Sequence, residues 1–186
     1  MVDDRSTGNN LNSSAVQPSL IHHHLSSVIH HLFMTTAGKE EQKAFKQMLQ
    51  RADKNKVLKQ LPHLHEEAFE KIDCLQCAAC CKNYSPRFKT PDVKRIAKYL
   101  GMRESEFIDT YLRVDEDGDF VVKASPCPFL GADNACSIYD VRPSDCARFP
   151  YTDEDVIIKR QPLTLKNASF CPITFFVLEK LWQQLK

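Results

Sequence analysis

The chain has 186 residues, of which 42% are hydrophobic and 26% charged, with a formal net charge of +1 and an isoelectric point near 7.6. These values are ordinary for a globular protein and give no general electrostatic reason to expect nucleic acid, an anionic membrane or an acidic substrate as a partner. No apolar stretch reaches membrane-spanning length, and the first ten residues are too acidic and polar for a signal peptide. We therefore expect a cytoplasmic location, where eight cysteines indicate metal or redox chemistry rather than disulfides.

The first part of the chain predicts a leader followed by a helix. Residues 1–18 are rich in Ser, Asn, Asp and Gly, which is typical of a flexible leader. From Leu20 to Phe33 apolar residues recur at helical spacing after Pro18 and Ser19, which predicts a short amphipathic helix. We interpret its histidines as a weak accessory metal site or a solvated polar face. These histidines are His22, His23, His24, His30 and His31.

A second helix is predicted from about Glu40 to Leu61, where an apolar stripe opposes a basic face. That basic face, between residues 43 and 59, is suited to an acidic partner, but lysines that simply solvate the outer side of a helix explain it as well. Pro62 is expected to end or kink this helix. Residues 63–72 then predict another helical turn or two that lead to the first cysteines.

The clearest predicted helix begins at Thr90, Pro91 and Asp92 and stops at Gly101. Apolar residues over 107–112 predict a partner helix.

Two further segments complete the predicted elements. Residues 115–119 predict a turn that leads to a short strand over 120–123, for which 156–159 is a candidate hairpin partner. The stretch from Pro172 to the end predicts a helix. The expected fold is mainly α with a small irregular or hairpin β element. It divides into a leader (1–18), a helical extension (19–69) and a compact cysteine-cluster metal-binding domain with a C-terminal helix (70–186).

The first cysteines stand at Cys74, Cys77, Cys80 and Cys81, and gaps of two residues let sulfurs converge on one ion or one iron–sulfur cluster. In a helix, positions 74, 77 and 81 share a narrow sector while 80 points away; in an extended segment the adjacent pair points to opposite sides. We therefore predict that one of the pair reaches a second metal, bridges two metals, or meets ligands from the later segment.

The later cysteines are too widely spaced for one local knuckle but can close a site across the fold. They are Cys127, Cys136, Cys146 and Cys171. Two tetrahedral zinc sites would use all eight thiolates, whereas one four-iron cluster would use four and leave the others for a second cluster or for structure. Buried free cysteine and disulfide are the alternatives to ligation, most of all for the isolated Cys171.

The cysteine motifs resemble a known family, the YkgJ-type cysteine cluster proteins, also described as the CxxCxxCC zinc- or iron-chelating domain. The resemblance covers about residues 70–151 and rests on CLQCAACC at 74–81, CPFLGADNACSIYDVRPSDCARFP at 127–150 and the helix TPDVKRIAKYLG followed by ESEFIDTYL. It implies metal chelation, as zinc or an iron–sulfur centre, by the motif cysteines. These are Cys74, Cys77, Cys80, Cys81, Cys127, Cys136 and Cys146, with Cys171 outside the matched motifs.

The sequence departs from this family beside the paired cysteines. Relatives often have glycine and a following arginine where Ala78, Ala79 and Lys82 stand here. Alanine disfavours positive φ, which counts against a family geometry that needs it.

Two arginines around Cys146, Arg142 and Arg148, are candidates to offset thiolate charge, and surface ion pairing is the alternative.

Three functions remain open from the sequence. The leading one is a metal-binding protein whose cysteines hold an iron–sulfur cluster or zinc, with a slight preference for iron because successive two-residue gaps resemble the run that holds a four-iron cluster. The second is a metal-dependent oxidoreductase or modifying enzyme, since the same cluster motif occurs in flagellin lysine methylases, although we find no catalytic motif. The third is a zinc-stabilised interaction module that presents the basic 43–59 helix to a protein or nucleic acid; balanced overall charge makes nucleic acid the weaker choice, and the protein partner is unknown.

Overall fold

The computed structural model describes residues 36–185, and that part of the chain is mainly helical with one small antiparallel hairpin, as predicted. The leader, the helix predicted over Leu20–Phe33 and its histidines lie outside the described residues. No helix within 36–185 is long and apolar enough to cross a membrane. The elements are α1 (Thr36–Arg51), α2 (Lys54–Lys71), α3 (Cys74–Cys77), α4 (Ala79–Asn83), α5 (Thr90–Tyr99), α6 (Glu104–Tyr111), β1 (Leu112–Val114), β2 (Phe120–Val122), a 3₁₀ turn (Tyr139–Val141), α7 (Ser144–Arg148), α8 (Val156–Lys159), α9 (Gln161–Ala168) and α10 (Pro172–Leu185).

The single helix predicted over 40–61 is in fact divided between α1 and α2, and of the two effects expected at Pro62, an end or a kink, the end is wrong. The break falls earlier, where the carboxylate of Asp53 caps α2 by accepting hydrogen bonds from the backbone N–H groups of Asn55 and Lys56 at 2.9 and 3.3 Å. Pro62 lies inside α2 on its exposed face, so the backbone bond it removes is not in the core. The basic stretch is therefore carried by two helices.

The helix predicted at Thr90 forms as α5, and the partner helix forms as α6. Asp92 closes the first turn of α5 by accepting a hydrogen bond from the backbone N–H of Lys89 at 3.1 Å. After α5 ends, Gly101 adopts a φ of +67°, a conformation that glycine reaches without steric cost. Both predictions are confirmed.

The predicted strand is also confirmed, but its predicted partner is wrong. β2 pairs with β1, with Leu112 opposite Val122 and Val114 opposite Phe120. The segment 156–159 instead forms α8, whose Ile157 is buried among helices. A short apolar run does not distinguish strand from helix by periodicity, and packing decides here.

Two hydrophobic cores organise the described residues. The first core joins α1 and α2 to α8, α9 and α10, and the second joins α5 and α6 to the hairpin and the loop that follows it. The fully buried centres are Leu61 and Leu181 in the first core and Ile96 and Phe107 in the second. Each excludes water from a separate set of apolar side chains, which is the main source of stability on either side.

The chain passes between the two cores twice, and cysteines lie along both passages. The first passage runs from α2 to α5 and contains α3 and α4; the second runs from the 3₁₀ turn to α8 and contains α7. Cys171 belongs to the first core, whereas Cys127 and Cys136 pack against the second. The fold therefore gathers the cysteines at the junction of the two cores.

Candidate metal centre

The CxxCxxCC segment forms two short helical turns with a reversal between them. Asp73 caps α3 through the backbone N–H of Leu75 at 2.8 Å, and Ala78 then adopts left-handed φ and ψ of 45° and 22°. The expectation that alanine would not adopt positive φ is thus wrong, and Ala78 keeps this conformation while buried at 4% exposure. α4 then begins a new turn, in which the adjacent Cys80 and Cys81 point about 100° apart.

Cys127 and Cys136 lie on a loop that is tied to the paired cysteines by backbone hydrogen bonds. The N–H of Cys127 donates to the carbonyl of Cys81 at 2.8 Å. Between the two cysteines the chain reverses direction, and Leu130 and Cys136 form an isolated antiparallel β-bridge. A Cβ at Gly131 would stand 2.6 Å from the Asp133 carboxylate and 3.3 Å from the Ala135 carbonyl oxygen, so glycine suits the close approach of the chain in this turn.

Cys146 lies in α7, and two buried carboxylates hold that helix in place. Asp92 accepts hydrogen bonds from the backbone N–H and the hydroxyl of Ser144 at 3.2 and 3.0 Å. Asp145 accepts from the backbone N–H and the guanidinium of Arg87 at 3.3 and 3.1 Å. The first contact ties α7 to α5, and the second ties it to the segment just after α4.

Cys171 comes directly before α10, and an aromatic cluster connects it with the other cysteine segments. Tyr84, Phe149 and Phe170 lie with ring centroids 5.3 to 6.4 Å apart. One ring follows α4, one follows α7 and one precedes Cys171. The three segments are thereby packed together beneath the thiols.

The eight thiols form two groups of neighbours that meet at Cys81. Within each group the sulfurs are close enough to raise one another's pKa. Group A consists of Cys74, Cys77, Cys80 and Cys171. Group B consists of Cys81, Cys127, Cys136 and Cys146. Cys81 also raises the pKa of three thiols in group A, and its sulfur lies 3.9 Å from that of Cys80.

Backbone N–H groups point toward four of the sulfurs from two residues further along the chain, and each lowers the pKa of its thiol. The pairs are Cys77 with Ala79, Cys127 with Phe129, Cys136 with Ile138 and Cys171 with Ile173. A neutral thiol is a weak acceptor, whereas a thiolate accepts such bonds well. The local backbone is therefore arranged to receive negative charge at sulfur in both groups.

Burial raises the pKa of the thiols and keeps most of them protonated when no cation is bound. Burial raises the pKa of Cys74 to about 12 and that of Cys127 to about 11, with neighbouring thiols adding to the effect. Only Cys81 has a lowered pKa, chiefly because of the hydrogen bond between the Cys80 and Cys81 thiols, with Lys82 contributing. A bound cation removes this penalty, because it favours the charged form of every thiol around it.

The donor set fits zinc or iron chemically, since thiolate is a preferred ligand of zinc and of iron–sulfur clusters. Within residues 36–185, no three Cys, His, Asp or Glu side chains are already spaced as a shell around one ion. The sulfurs are therefore neighbours in the fold but do not converge on a single point. Cys74 is exposed and Cys171 is buried, with the other six between these extremes.

Other residues considered from the sequence lie in different surroundings. Arg142 lowers the pKa of Cys136, as expected for a charge-offsetting role, while Arg148 pairs with Glu154. His65 contacts the hydroxyl of Thr152 at 2.8 Å. Sequence reasoning missed Thr174, whose buried hydroxyl lowers the pKa of Cys171; a threonine three residues after a helix-capping cysteine was the available signal.

These features define a mainly helical protein with a cysteine cluster at the junction of two cores. A family model described as "CxxCxxCC: Putative zinc- or iron-chelating domain" matches residues 73–172, more than half of the chain, and the chain belongs to this family. The match runs past the motifs visible by eye and includes Cys171. No curated protein and no solved structure was found to match the chain.

Proposed function

We propose that the protein chelates metal at two neighbouring four-cysteine sites, one formed by group A and the other by group B. The observation that carries this proposal is the gathering of the thiols into two sets of neighbours, with Cys81 adjoining both. Four thiolates complete a tetrahedral zinc site, and four also hold a four-iron cluster. The N–H groups directed at sulfur in both groups support the same conclusion, because they favour thiolate over thiol.

Iron and zinc are each favoured by a different observation. The successive two-residue gaps in CxxCxxCC favour an iron–sulfur centre. Four thiolates per group suit zinc equally, because structural zinc sites are tetrahedral and take four such ligands. Either metal is held by the same thiolates.

The position of the sites supports a role in holding the molecule together. Group A joins the first core, through Cys171, to the segment that contains α3 and α4. Group B joins that segment, through Cys81, to the loop that packs on the second core. Metal bound at both sites therefore cross-links the two cores, and its binding free energy becomes folding free energy.

The test is the metal content of anaerobically purified protein and of three variants. Elemental analysis for zinc and iron, acid-labile sulfide and the visible spectrum identify the metal. Cys74→Ser is expected to lose the metal of group A, and Cys136→Ser that of group B. Cys81→Ser is expected to reduce both, because Cys81 neighbours both groups. Ser137→Ala, beside Cys136, is the matched control and should retain the full content.

Two results would contradict the proposal. Wild-type protein without stoichiometric zinc or iron rejects metal chelation itself. Complete loss of metal in both Cys74→Ser and Cys136→Ser rejects two sites, because it indicates a single shared centre. Iron with sulfide and a charge-transfer band assigns an iron–sulfur protein, and colourless protein with two zinc ions assigns the zinc form.

A further inference from the structure

Two buried polar side chains beside Cys171 make no hydrogen bond to any nitrogen or oxygen. The hydroxyl of Thr174 and the side-chain amide of Asn167 are both without such a partner, at 0% and 1% exposure. A buried polar group left unpaired costs about 1–3 kcal/mol, so each such group in a folded protein needs an explanation. Their position suggests one.

Both side chains flank the one ligand that the first core supplies to group A. Asn167 precedes Cys171 by one helical turn, and its backbone carbonyl accepts the N–H of Cys171 at 2.8 Å. Thr174 follows Cys171 in the first turn of α10, and its hydroxyl and N–H both lower the pKa of the Cys171 thiol. The N–H of Ile173 does the same. Asn167 lies in α9 and Thr174 in α10, so the two side chains stand on either side of Cys171 along the chain.

The N-terminus of α10 also favours negative charge at Cys171. α10 is a helix of 14 residues, and Cys171 stands immediately before its first residue, where unpaired backbone N–H groups favour negative charge. Buried donors are retained when they meet an acceptor of high charge, and a thiolate bound to metal keeps part of its negative charge.

We propose that Thr174 and Asn167 are positioning residues of the metal centre, whose side-chain O–H and N–H groups hydrogen-bond to the thiolates of group A once metal is bound. The inference rests on the proposed function and extends it. Group A thereby gains an outer layer of side-chain donors on its buried side. These bonds orient the Cys171 sulfur and reduce its reactivity, and in an iron–sulfur centre they would raise the reduction potential.

The test compares isosteric variants that remove only the donors. Thr174→Val and Asn167→Leu are expected to weaken metal binding at group A by about tenfold or more, measured by competition with a chromophoric chelator. Thr174→Ser keeps the hydroxyl and should restore most of the affinity. Alkylation of metal-loaded protein, followed by mass spectrometry, should show faster modification of Cys171 in Thr174→Val than in wild type.

A matched control is available one helix earlier. Thr164 is also buried, but its hydroxyl already donates to the carbonyls of Val156 and Arg160 at 3.3 and 3.2 Å. Thr164→Val should therefore lower the unfolding midpoint and leave the chelator competition unchanged, whereas Thr174→Val should weaken metal binding in that competition.

The outcomes separate this inference from the proposed function. Wild-type protein that holds no metal rejects the proposed function. Wild-type protein that holds metal, with unchanged affinity in Thr174→Val, overturns the role of Thr174, and the same result in Asn167→Leu overturns that of Asn167. Weaker binding in Thr174→Val that Thr174→Ser does not restore also overturns the hydrogen bond, because it indicates a packing effect.

Discussion

Replacing Asp92 by asparagine should destabilise the protein by removing one buried negative charge at a defined place. The carboxylate is 2% exposed and accepts four hydrogen bonds, from the Lys89 N–H, the Arg95 guanidinium, the Ser144 N–H and the Ser144 hydroxyl. These bonds join α5 to the start of α7, which carries Cys146. Asp92→Asn keeps the size of the side chain and changes only what it can accept.

The cost follows from the geometry of the two oxygens. Oδ1 accepts from Arg95 and the Ser144 N–H, so the cheapest asparagine orientation keeps its oxygen there. Its NH₂ group then replaces Oδ2, where the Ser144 hydroxyl can turn to accept but the Lys89 N–H is left facing another donor. One unpaired donor costs about 1–3 kcal/mol. The lost charge pairing with Arg95, which is 42% exposed, adds about 0–1 kcal/mol.

The assay is thermal and urea unfolding of metal-loaded protein followed by circular dichroism. A loss of about 2 kcal/mol predicts a fall of roughly 4–8 °C in the midpoint for a chain of this size. Asp109→Asn, on the exposed surface of α6, is the matched control and should shift the midpoint by less than about 0.5 kcal/mol equivalent. A shift in Asp92→Asn no larger than in Asp109→Asn would refute the reasoning.

The pH dependence provides a second check on the same residue. Burial raises the pKa of Asp92, but the hydrogen bonds from Arg95, Lys89 and Ser144 outweigh it, and the net pKa is lowered. A lowered folded pKa contributes stability that is present above the unfolded value, about 3.9, and is lost as the pH falls through the folded value. The difference in stability between wild type and Asp92→Asn should therefore be full at pH 6 and shrink below about pH 4.

The remaining predictions concern the backbone, the cores and the metal. Ala78→Val should cost about 2 kcal/mol or more in unfolding free energy and reduce metal content, because a β-branched residue tolerates φ of 45° poorly, while Ala79→Val, in an ordinary helical turn, should not. Phe107→Ala, at 0% exposure, should cost about 3–5 kcal/mol by urea unfolding, against less than about 1 for Phe69→Ala at 41%. Metal removal by a strong chelator should lower the thermal midpoint and increase amide hydrogen exchange in both passages between the cores, and unchanged exchange there would contradict the cross-linking role.

The elements that the sequence predicts well are those with several agreeing local signals. α5 has Pro91 and Asp92 at its start, an apolar stripe and Gly101 at its end, and α10 has Pro172 and an apolar period. Where one strong signal stands alone, it is unreliable. Pro62 suggests an end, but α2 continues because its proline is on the exposed face.

The cysteine site was predictable in composition but not in arrangement. The spacing predicts a metal site, and the paired cysteines predict a link with the later segment. The grouping depends on the reversal at Ala78, a conformation that alanine rarely adopts and that local propensity argues against. Thr174 has no motif, and its relation to Cys171 depends on where α10 begins.

The reversal at Ala78 also explains how one short segment can serve both groups. Without it, a continuous helix from Cys74 would place positions 74, 77 and 81 in one sector and turn Cys80 away. With it, Cys80 stays with the first cysteines. Cys81 lies about 100° further round α4 and faces the loop whose Cys127 N–H donates to the Cys81 carbonyl. The two proposed sites therefore take adjacent residues of one helical turn. Cys74→Ser, which removes a ligand of group A only, should accordingly leave the metal of group B in place.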